Sequence, residues 1–581
     1  MANVTWKIGG QAGDGIESTG EMFAYAASRY GLHLFTHRNF SSRIRGGYTS
    51  YEARLHHGRV LARYDTFDLL IALDQETIDR DIDDVRDKGV LIYDSTTYKP
   101  QMDEKHWKRL RTYGIPITDM AISIGSELYR NTVAVGVSCF LLGLPVENVM
   151  EIIERMFGRK GSGVVESNRK ALEAGRAWAA QNIGAQKDLA VEGVPGRRMY
   201  LITGNEAIAM GAIRAGCRFF AGYPITPATS IMEYLIRHFP EYGGVAIQVE
   251  DEIAAIHAAI GAGYMGARAM TSSSGPGISL MTEALGLASM TEIPVVVVDV
   301  QRAGPSTGMP TKHEQADLNH VVFGGTGDIP RAVLAPGTVE ECFEEAQRAF
   351  NIADRFQCPV FLLADEELCM NKQSVEKLNV DGIPIDRGEI AYSAGAGYKR
   401  YLQTPTGVSP RVVPGTPGGA HVESGVEHAE EGRIIENPHL RRAMMEKRMR
   451  KLKHISDYLP APVLHGDPKA EAVLVGFGST TGPALEALGR FRGGNGRSRA
   501  PKGKKVAYLQ LRALWPFQGE QVRKLLAPAR RIVVAESNAG GQLARLVRSE
   551  MDGHDRIHSL LKYDGRPFRP SEIVEGVRTH L

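Results

Sequence analysis

Cysteine is scarce in this sequence, with five residues in 581. Cys139, Cys217, Cys342, Cys358 and Cys369 stand far apart, without a C-x-x-C spacing or an accompanying histidine pattern. That excludes a zinc site or an iron-sulfur cluster held by this chain alone, so no metal site is expected and buried reduced thiols are. Long apolar runs are missing too: nowhere do about 18 uncharged apolar residues follow one another, and no membrane span is expected. The start, Met1 to Gly10, carries no apolar h-region of a signal peptide, which leads to an expected cytoplasmic location. An excess of one charge is likewise absent. The 69 basic and 67 acidic residues leave a net +2, and no run of like charge is long enough for a nucleic-acid arm or a membrane-surface helix. No short-period repeat is visible, which sets aside a solenoid.

What is present is a succession of α/β patterns, in a chain long enough for about three or four domains. VTWKIG at 4–9 reads as a strand running into the glycine turn GGQAGDG, with helical periodicity through ESTGEMFAYAASRYG. DLLIALD at 68–74 and GVLIYDS at 89–95 are further strands among helical segments, giving a Rossmann-like domain over 1–185 and an exit linker at 186–197. A second series fills 198–380: CRFFAGYP, a helix from about Pro227, VAIQVE, a helix, ARAMTSSS, a helix, IPVVVVDVQ and finally PVFLLADEEL. Short apolar strands alternating with amphipathic helices predict a parallel, doubly wound sheet. Residues 381–465 form a Gly- and Pro-rich arm ending in the basic helix HLRRAMMEKRMRKLKHI, and 466–581 return to α/β with EAVLVGFGS, KVAYLQL and RRIVVAES. RFRGGNGRSRAPKGKK within that last module reads as a solvated basic loop.

Chemistry concentrates in the second series, where strand ends deliver polar residues into short turns, the place at which open α/β sheets bind ligands. In GYPITPAT, 222–229, two prolines fix the backbone and Thr226 is expected at an N-cap, its hydroxyl and nearby N–H groups toward an anion. In VEDEIAAIHAAIGAGYMGA, Glu252, Ile256, Ala259 and Gly263 fall on one helical stripe, placing a carboxylate on an apolar face. That placement is costly unless used, and sharing a proton with a ring nitrogen is such a use. Glu250 and Asp251 read as first-turn charges and His257 as a surface or packed histidine. TSSSGPG, 271–277, offers three hydroxyls and a glycine turn. Finally IPVVVVDV ends in QRAGPSTGMPTKHEQAD, which sets Arg302 just past the sheet near Ser306, Thr307 and Thr311, a fair ligand set for a carboxylate.

Together these four turns resemble the thiamine-diphosphate pyrimidine-binding domain of the 2-oxoacid:ferredoxin oxidoreductases, in order and in spacing. The resemblance extends further. GGQAGDGIESTG with SSRIRGGYTSYEARL is similar to the family's gamma domain fused ahead of the alpha region; YKRY, GVSPRVVPGTPG and GVEHAEEG are similar to its connecting arm. VGFGSTTGPALEAL and ESNAGGQLARL are similar to a transketolase C-terminal-like domain.

The resemblance implies that Glu252 contacts the aminopyrimidine N1', that Tyr223, Pro224, Ile225, Ser274 and Gly275 line the cofactor, and that Thr226, Arg302, Thr307 and Thr311 hold the substrate. It implies coenzyme A as co-substrate, met by Ser42, Arg43 and Arg45. It further implies a beta subunit bringing the diphosphate-binding domain, Mg2+ and a [4Fe-4S] cluster, an (αβ)2 assembly, and ferredoxin as electron acceptor. The favoured reaction is oxidative decarboxylation of 2-oxoglutarate to succinyl-CoA and carbon dioxide, reversible as a carboxylation. Pyruvate or other 2-oxoacids, and a non-catalytic assembly subunit, are the alternatives. Where the family's arm carries a further acid after its Glu-His pair, this sequence has Ala429 followed by Glu430. Gly13, Asp14, Gly15 and Asn39 come close to the Mg-diphosphate pattern of thiamine enzymes, but GGQ and SRIRGG around them fit the gamma domain better. A nucleotide-dependent dehydrogenase is disfavoured because neither GQAGDG nor TGNEAIAMG makes the G-x-G-x-x-G fingerprint.

Overall fold

A computed structural model describes residues 3–40, 46–493 and 505–580. The chain divides into two compact units, one comprising 1–202 with 371–377 and the other 203–370 with 378–581.

The first unit is built on an eight-stranded mixed sheet. Val4–Gln11, Phe67–Ala72 and Val85–Asp94 run parallel where the apolar runs predict strands, and Arg111–Ile115, which has no such run, adds a fourth. On the other side of Val4–Gln11 the order changes: Tyr48–His56 pairs antiparallel with it and with His33–Asn39. Gln373–Val375 returns to pair with His33–Asn39 and with Tyr200–Ile202. The antiparallel strands escape a reading by apolar runs because their buried faces carry charge that is paired inside. Glu52 is bonded by Arg63 at 2.7 Å, and Lys7 on the neighbouring strand by Asp81 at 2.9 Å. Helix Ile16–Arg29 lies tight on this sheet at Gly20, where a Cβ would fall 2.0 Å from the Tyr51 ring.

In the second unit a seven-stranded sheet runs Ala513–Trp515, Ala332–Leu334, Pro359–Asp365, Val295–Gln301, Arg268–Ser273, Cys217–Gly222, Val245–Gln248. All pairings are parallel except that of Ala513–Trp515, which the C-terminal segment adds antiparallel at the edge. Val295–Gln301, VVVVDVQ, is buried along its whole length, which explains its near-continuous β-branched composition. A separate five-stranded sheet, Val463–His465, Val506–Gln510, Ala472–Gly476, Arg531–Glu536 and Ile557–Leu561, completes the C-terminal part.

The arm is mostly irregular until helix Pro438–Ile455, whose start is capped by the Asn437 side chain. Its basic character has an inward use. Lys447 and Lys451 are buried and both reach the buried Glu292 at 2.6 Å, while Arg400 donates to the carbonyls of Thr291 and Glu292. Burial opposes the charge on Glu292, yet Lys447, Lys451 and Arg400 hold its carboxyl well below the usual range. The arm is thus latched to the loop entering the central strand.

Candidate functional site

The parallel register brings three strand ends side by side, Gly222, Ser273 and Asp299 to Gln301, so the turns that follow converge. Helix Glu252–Tyr264 begins there because Asp251, in extended backbone, accepts a hydrogen bond from the Ala254 N–H at 2.8 Å. Glu252 is then the first helical residue, 5 % exposed, and shares its buried face with Ile256, Ala259 and Gly263 as their spacing predicts. His257 lies on the exposed face and bonds the Ile253 carbonyl at 2.7 Å.

Glu252 packs against the first turn of helix Gly275–Met290. The Ser273 hydroxyl donates to its Oε1 at 3.4 Å, and a Cβ on Gly277 would lie 2.4 Å from the same oxygen. Two residues earlier, a Cβ on Gly275 would lie 2.8 Å from both carboxyl oxygens of Asp317. The turn is therefore a bare shelf with one carboxyl group on each side of it. Ser274 stands at the N-cap of this helix, yet its buried hydroxyl makes no cap bond and has no partner, and the Thr271 hydroxyl is also unpartnered.

Arg302 is buried at the end of the central strand and ties two turns together. Its Nη1 donates to the Thr226 carbonyl at 2.7 Å and its Nη2 to the Thr307 carbonyl at 3.1 Å, while its buried Nε has no partner. Burial lowers its pKa, and the nearby carboxylates of Asp317 and then Glu252 favour its charge.

Of the sequence-predicted residues, Glu252 meets the glycine turn at Gly275–Gly277, and Arg302 meets Thr226 and Thr307, with one correction. Thr226 is not a helix cap: the Ile225 carbonyl accepts from the Ala228 and Thr229 N–H groups, forming a turn that delays the helix to Thr229, with Ala228 at its cap position. Thr226 and Thr307 meet Arg302 through main-chain carbonyls, and Thr311 is half-buried in the neck of the loop. Tyr223 is exposed, with Pro224 and Ile225 half-buried beside it. Ser42, Arg43 and Arg45 lie outside the described residues.

Three residues were missed. Asn205, fully buried, donates to the Pro227 carbonyl and to the Ser230 hydroxyl, both at 2.8 Å, and so pins the turn that carries Thr226. Asp299 sits within the apolar central strand with both carboxyl oxygens unpartnered, and Asp317 keeps one unpartnered oxygen. A lone Asp inside VVVVDV was the available signal.

In the arm, the acids flanking Ala429 are already engaged. Glu427 pairs with Arg441 and Arg448, and Glu430 with Lys399, while Ala429 itself closes a turn with Gly432 and Arg433. In the first unit Asp14 is held by Arg130, so Gly13-Asp14-Gly15 does not present a free carboxylate. That turn instead lines a cavity of about 690 Å³ with Arg130, Asn131 and Lys160. Among the described residues no cluster of His, Cys, Asp and Glu side chains is placed to hold a metal ion, and no helix is long and apolar enough to cross a membrane.

The residues present fit the pyrimidine end of a thiamine cofactor: a buried carboxyl group beside a glycine shelf, with hydroxyls awaiting a partner. Comparison with known proteins gives the family. Residues 210–447 match the family described as "Pyruvate flavodoxin/ferredoxin oxidoreductase, thiamine diP-bdg", residues 5–178 match "Pyruvate ferredoxin/flavodoxin oxidoreductase", and 470–573 match core domain II of pyruvate:ferredoxin oxidoreductase. A 2-oxoacid:ferredoxin oxidoreductase alpha subunit of Aeropyrum pernix is 34% identical, with 100% of this chain and 98% of that one aligned. The 2-oxoglutarate oxidoreductase subunit KorA of Mycobacterium tuberculosis is 32% identical over 100% of this chain and 92% of its own. A structure of 2-oxoglutarate:ferredoxin oxidoreductase from Magnetococcus marinus, with 2-oxoglutarate, coenzyme A and succinyl-CoA bound, superposes with a TM-score of 0.94 at 33% identity, covering 100% of both chains. With its glycine shelf, its buried Glu252 and full-length likeness of this order, the chain belongs to the alpha subunits of the 2-oxoacid:ferredoxin oxidoreductase family.

Proposed function

We propose that this subunit acts on 2-oxoglutarate, in a coenzyme-A-dependent oxidative decarboxylation to succinyl-CoA and carbon dioxide with electrons passing to ferredoxin, reversible when ferredoxin is strongly reducing. The observation that carries the site is the meeting of Glu252, the Gly275–Gly277 shelf and Arg302 at the strand ends. The choice of 2-oxoglutarate is supported by the full-length likeness to the Magnetococcus enzyme with that acid bound and by the KorA relatives.

When bound, the thiamine supplies the nucleophilic carbon that adds to the keto group and holds the electrons left behind by carbon dioxide. Glu252 shares a proton with the aminopyrimidine N1', and its burial keeps water from competing for that proton. Arg302, steadied by the Thr226 and Thr307 carbonyls, offers its remaining N–H groups to the substrate's 1-carboxylate. Tyr223, Pro224, Ile225 and Ser274 line the cofactor, with the Ser274 hydroxyl free to bond it, and Thr311 borders the substrate.

Coenzyme A takes the cavity at Gly13–Gly15 in the first unit, and Ser42, Arg43 and Arg45 are its proposed ligands on the family likeness alone. The diphosphate, its Mg2+ and a [4Fe-4S] cluster belong to a beta subunit in an (αβ)2 assembly. Within this chain, 1–185 serve as the gamma domain, 198–380 as the pyrimidine-binding domain, which lends Gln373–Val375 to the sheet of the first unit, 381–465 as the arm and 466–581 as the transketolase-like domain.

The test is dye reduction by the purified complex with a panel of 2-oxoacids, with and without coenzyme A. Higher kcat/KM for 2-oxoglutarate than for pyruvate or branched-chain and aryl 2-oxoacids is the expected result. A preference for pyruvate overturns the substrate assignment, and NAD reduction in place of a low-potential dye overturns the reaction class.

A further inference from the structure

Asp299 is fully buried and neither of its carboxyl oxygens has a hydrogen-bond partner. Native structures leave few such groups, and each calls for a reason. The group charged against it is Asp317, which sits over Gly275 with one oxygen shut off from solvent and unpartnered. Asp317 is fixed from behind: the Gln301 side-chain oxygen accepts from its backbone N–H at 3.1 Å. It is also part of the electrostatic surroundings of Arg302, whose Nε is unpartnered.

The charge count of this pocket is unbalanced. Among the described residues, Arg302 is the cation that acts on Asp317, and Glu252 shares its influence; Glu314 adds like charge to Asp317, which in turn opposes charge on Asp299, and Asp299 acts on Cys369. A 2-oxoacid brings one further carboxylate to the same guanidinium. Two carboxylates cannot both draw on one buried cation without cost, and protonation of one of them removes that cost.

We propose that Asp317, backed by Asp299, is a positioning residue for substrate capture that takes up one proton from solvent as the 2-oxoacid carboxylate docks on Arg302. The proposal rests on the reading of Arg302 as the carboxylate ligand. The proton moves from bulk water or buffer to an Asp317 carboxyl oxygen, and no bond in the substrate is made or broken. Burial, against the opposing pull of Arg302, lifts Asp317 to about 7, so the uptake falls in the working pH range. Substrate that engages Arg302 removes that pull and leaves the carboxyl more readily protonated. Asp299 keeps a second carboxyl group pressed against the first and withholds any compensating donor.

The experiment is the pH dependence of KM for whichever 2-oxoacid the assembled complex turns over best, measured from pH 6 to 9 with saturating coenzyme A and dye. In the parent complex KM should rise above pH 7, approaching about tenfold per pH unit as docking draws a proton that has become scarce. Asp317→Asn, which imitates the protonated form, should keep the low-pH KM and flatten the profile; kcat should change less than KM. If that variant fails to assemble, Asp317→Ser supplies a neutral side chain, and the parent profile alone is still decisive. A parent KM that is flat across the range, or a rise that survives in the neutral variants, overturns the proposal. Arg302→Gln separates the two levels. A KM unchanged by it overturns the reading of Arg302 and the proposal with it, whereas a raised KM with a flat parent profile overturns the proposal alone.

Discussion

The Glu252 carboxylate occupies space that a side chain on Gly277 would need: a Cβ there would lie 2.4 Å from its Oε1 and 2.0 Å from the Ser273 hydroxyl oxygen. This fixes where the carboxyl group can be, because the shelf beneath it is backbone in the first turn of a long helix. Gly277→Ala should therefore displace Glu252 while sparing the fold. A misplacement of this order costs about 100-fold in turnover. Steady-state dye reduction, beside thermal unfolding of the same complex, checks it: activity should collapse while the melting temperature stays near the parent's.

Arg302→Lys keeps the charge but loses the planar fork that bonds the Thr226 and Thr307 carbonyls and still has N–H groups to offer. A charge-assisted hydrogen bond contributes about 1.5–3 kcal/mol, so KM for the 2-oxoacid should rise by roughly 10- to 100-fold. KM for coenzyme A should stay where it is. Equal rises in both would place Arg302 outside the 2-oxoacid site.

The arm depends on a different pair of contacts. Glu292→Gln leaves Lys447 and Lys451 buried without their counter-charge. Breaking a buried pair in this way costs about 3–5 kcal/mol. Thermal or denaturant unfolding should register the loss, and proteolysis within 395–437 should accelerate because the arm is no longer latched.

Stability should also carry a pH signature from Asp317. Burial raises its folded-state pKa to about 7 from an unfolded value of about 3.9. Between these values the folded chain holds a proton that the unfolded chain has released. The contribution to stability is thus full below about pH 4 and is lost as pH climbs through 7. Asp317→Asn should reduce the fall in melting temperature between pH 6 and 8; an identical fall in the variant would remove Asp317 from the account.

The strands of the second unit were legible because burial on both faces demands apolar runs, and VVVVDVQ and PVFLLAD have no other use. Glu252 was legible for the opposite reason, as a carboxylate out of place on an apolar stripe. The antiparallel strand Tyr48–His56 of the first unit was hidden, since Glu52 and Arg54 lie buried in its faces and make the segment read as mixed. The edge strand Ala513–Trp515 was hidden because its partner, Ala332–Leu334, lies far away in sequence. Thr226 was misread for a local reason: two prolines suggested an early helix, while the Ile225 carbonyl closes a turn first. Asp317 could not be singled out from HEQAD, because what distinguishes it is the bare Gly275 opposite.

The central claim is that Glu252 moves the proton on which the whole reaction depends. Its most direct test is 2-oxoacid- and coenzyme-A-dependent reduction of a low-potential dye by the assembled complex carrying Glu252→Gln. Loss of this acid-base group should lower turnover by about 100- to 10,000-fold, with thiamine diphosphate content and melting temperature near those of the parent. Turnover left at the parent's level in a complex that retains its cofactor would contradict the account.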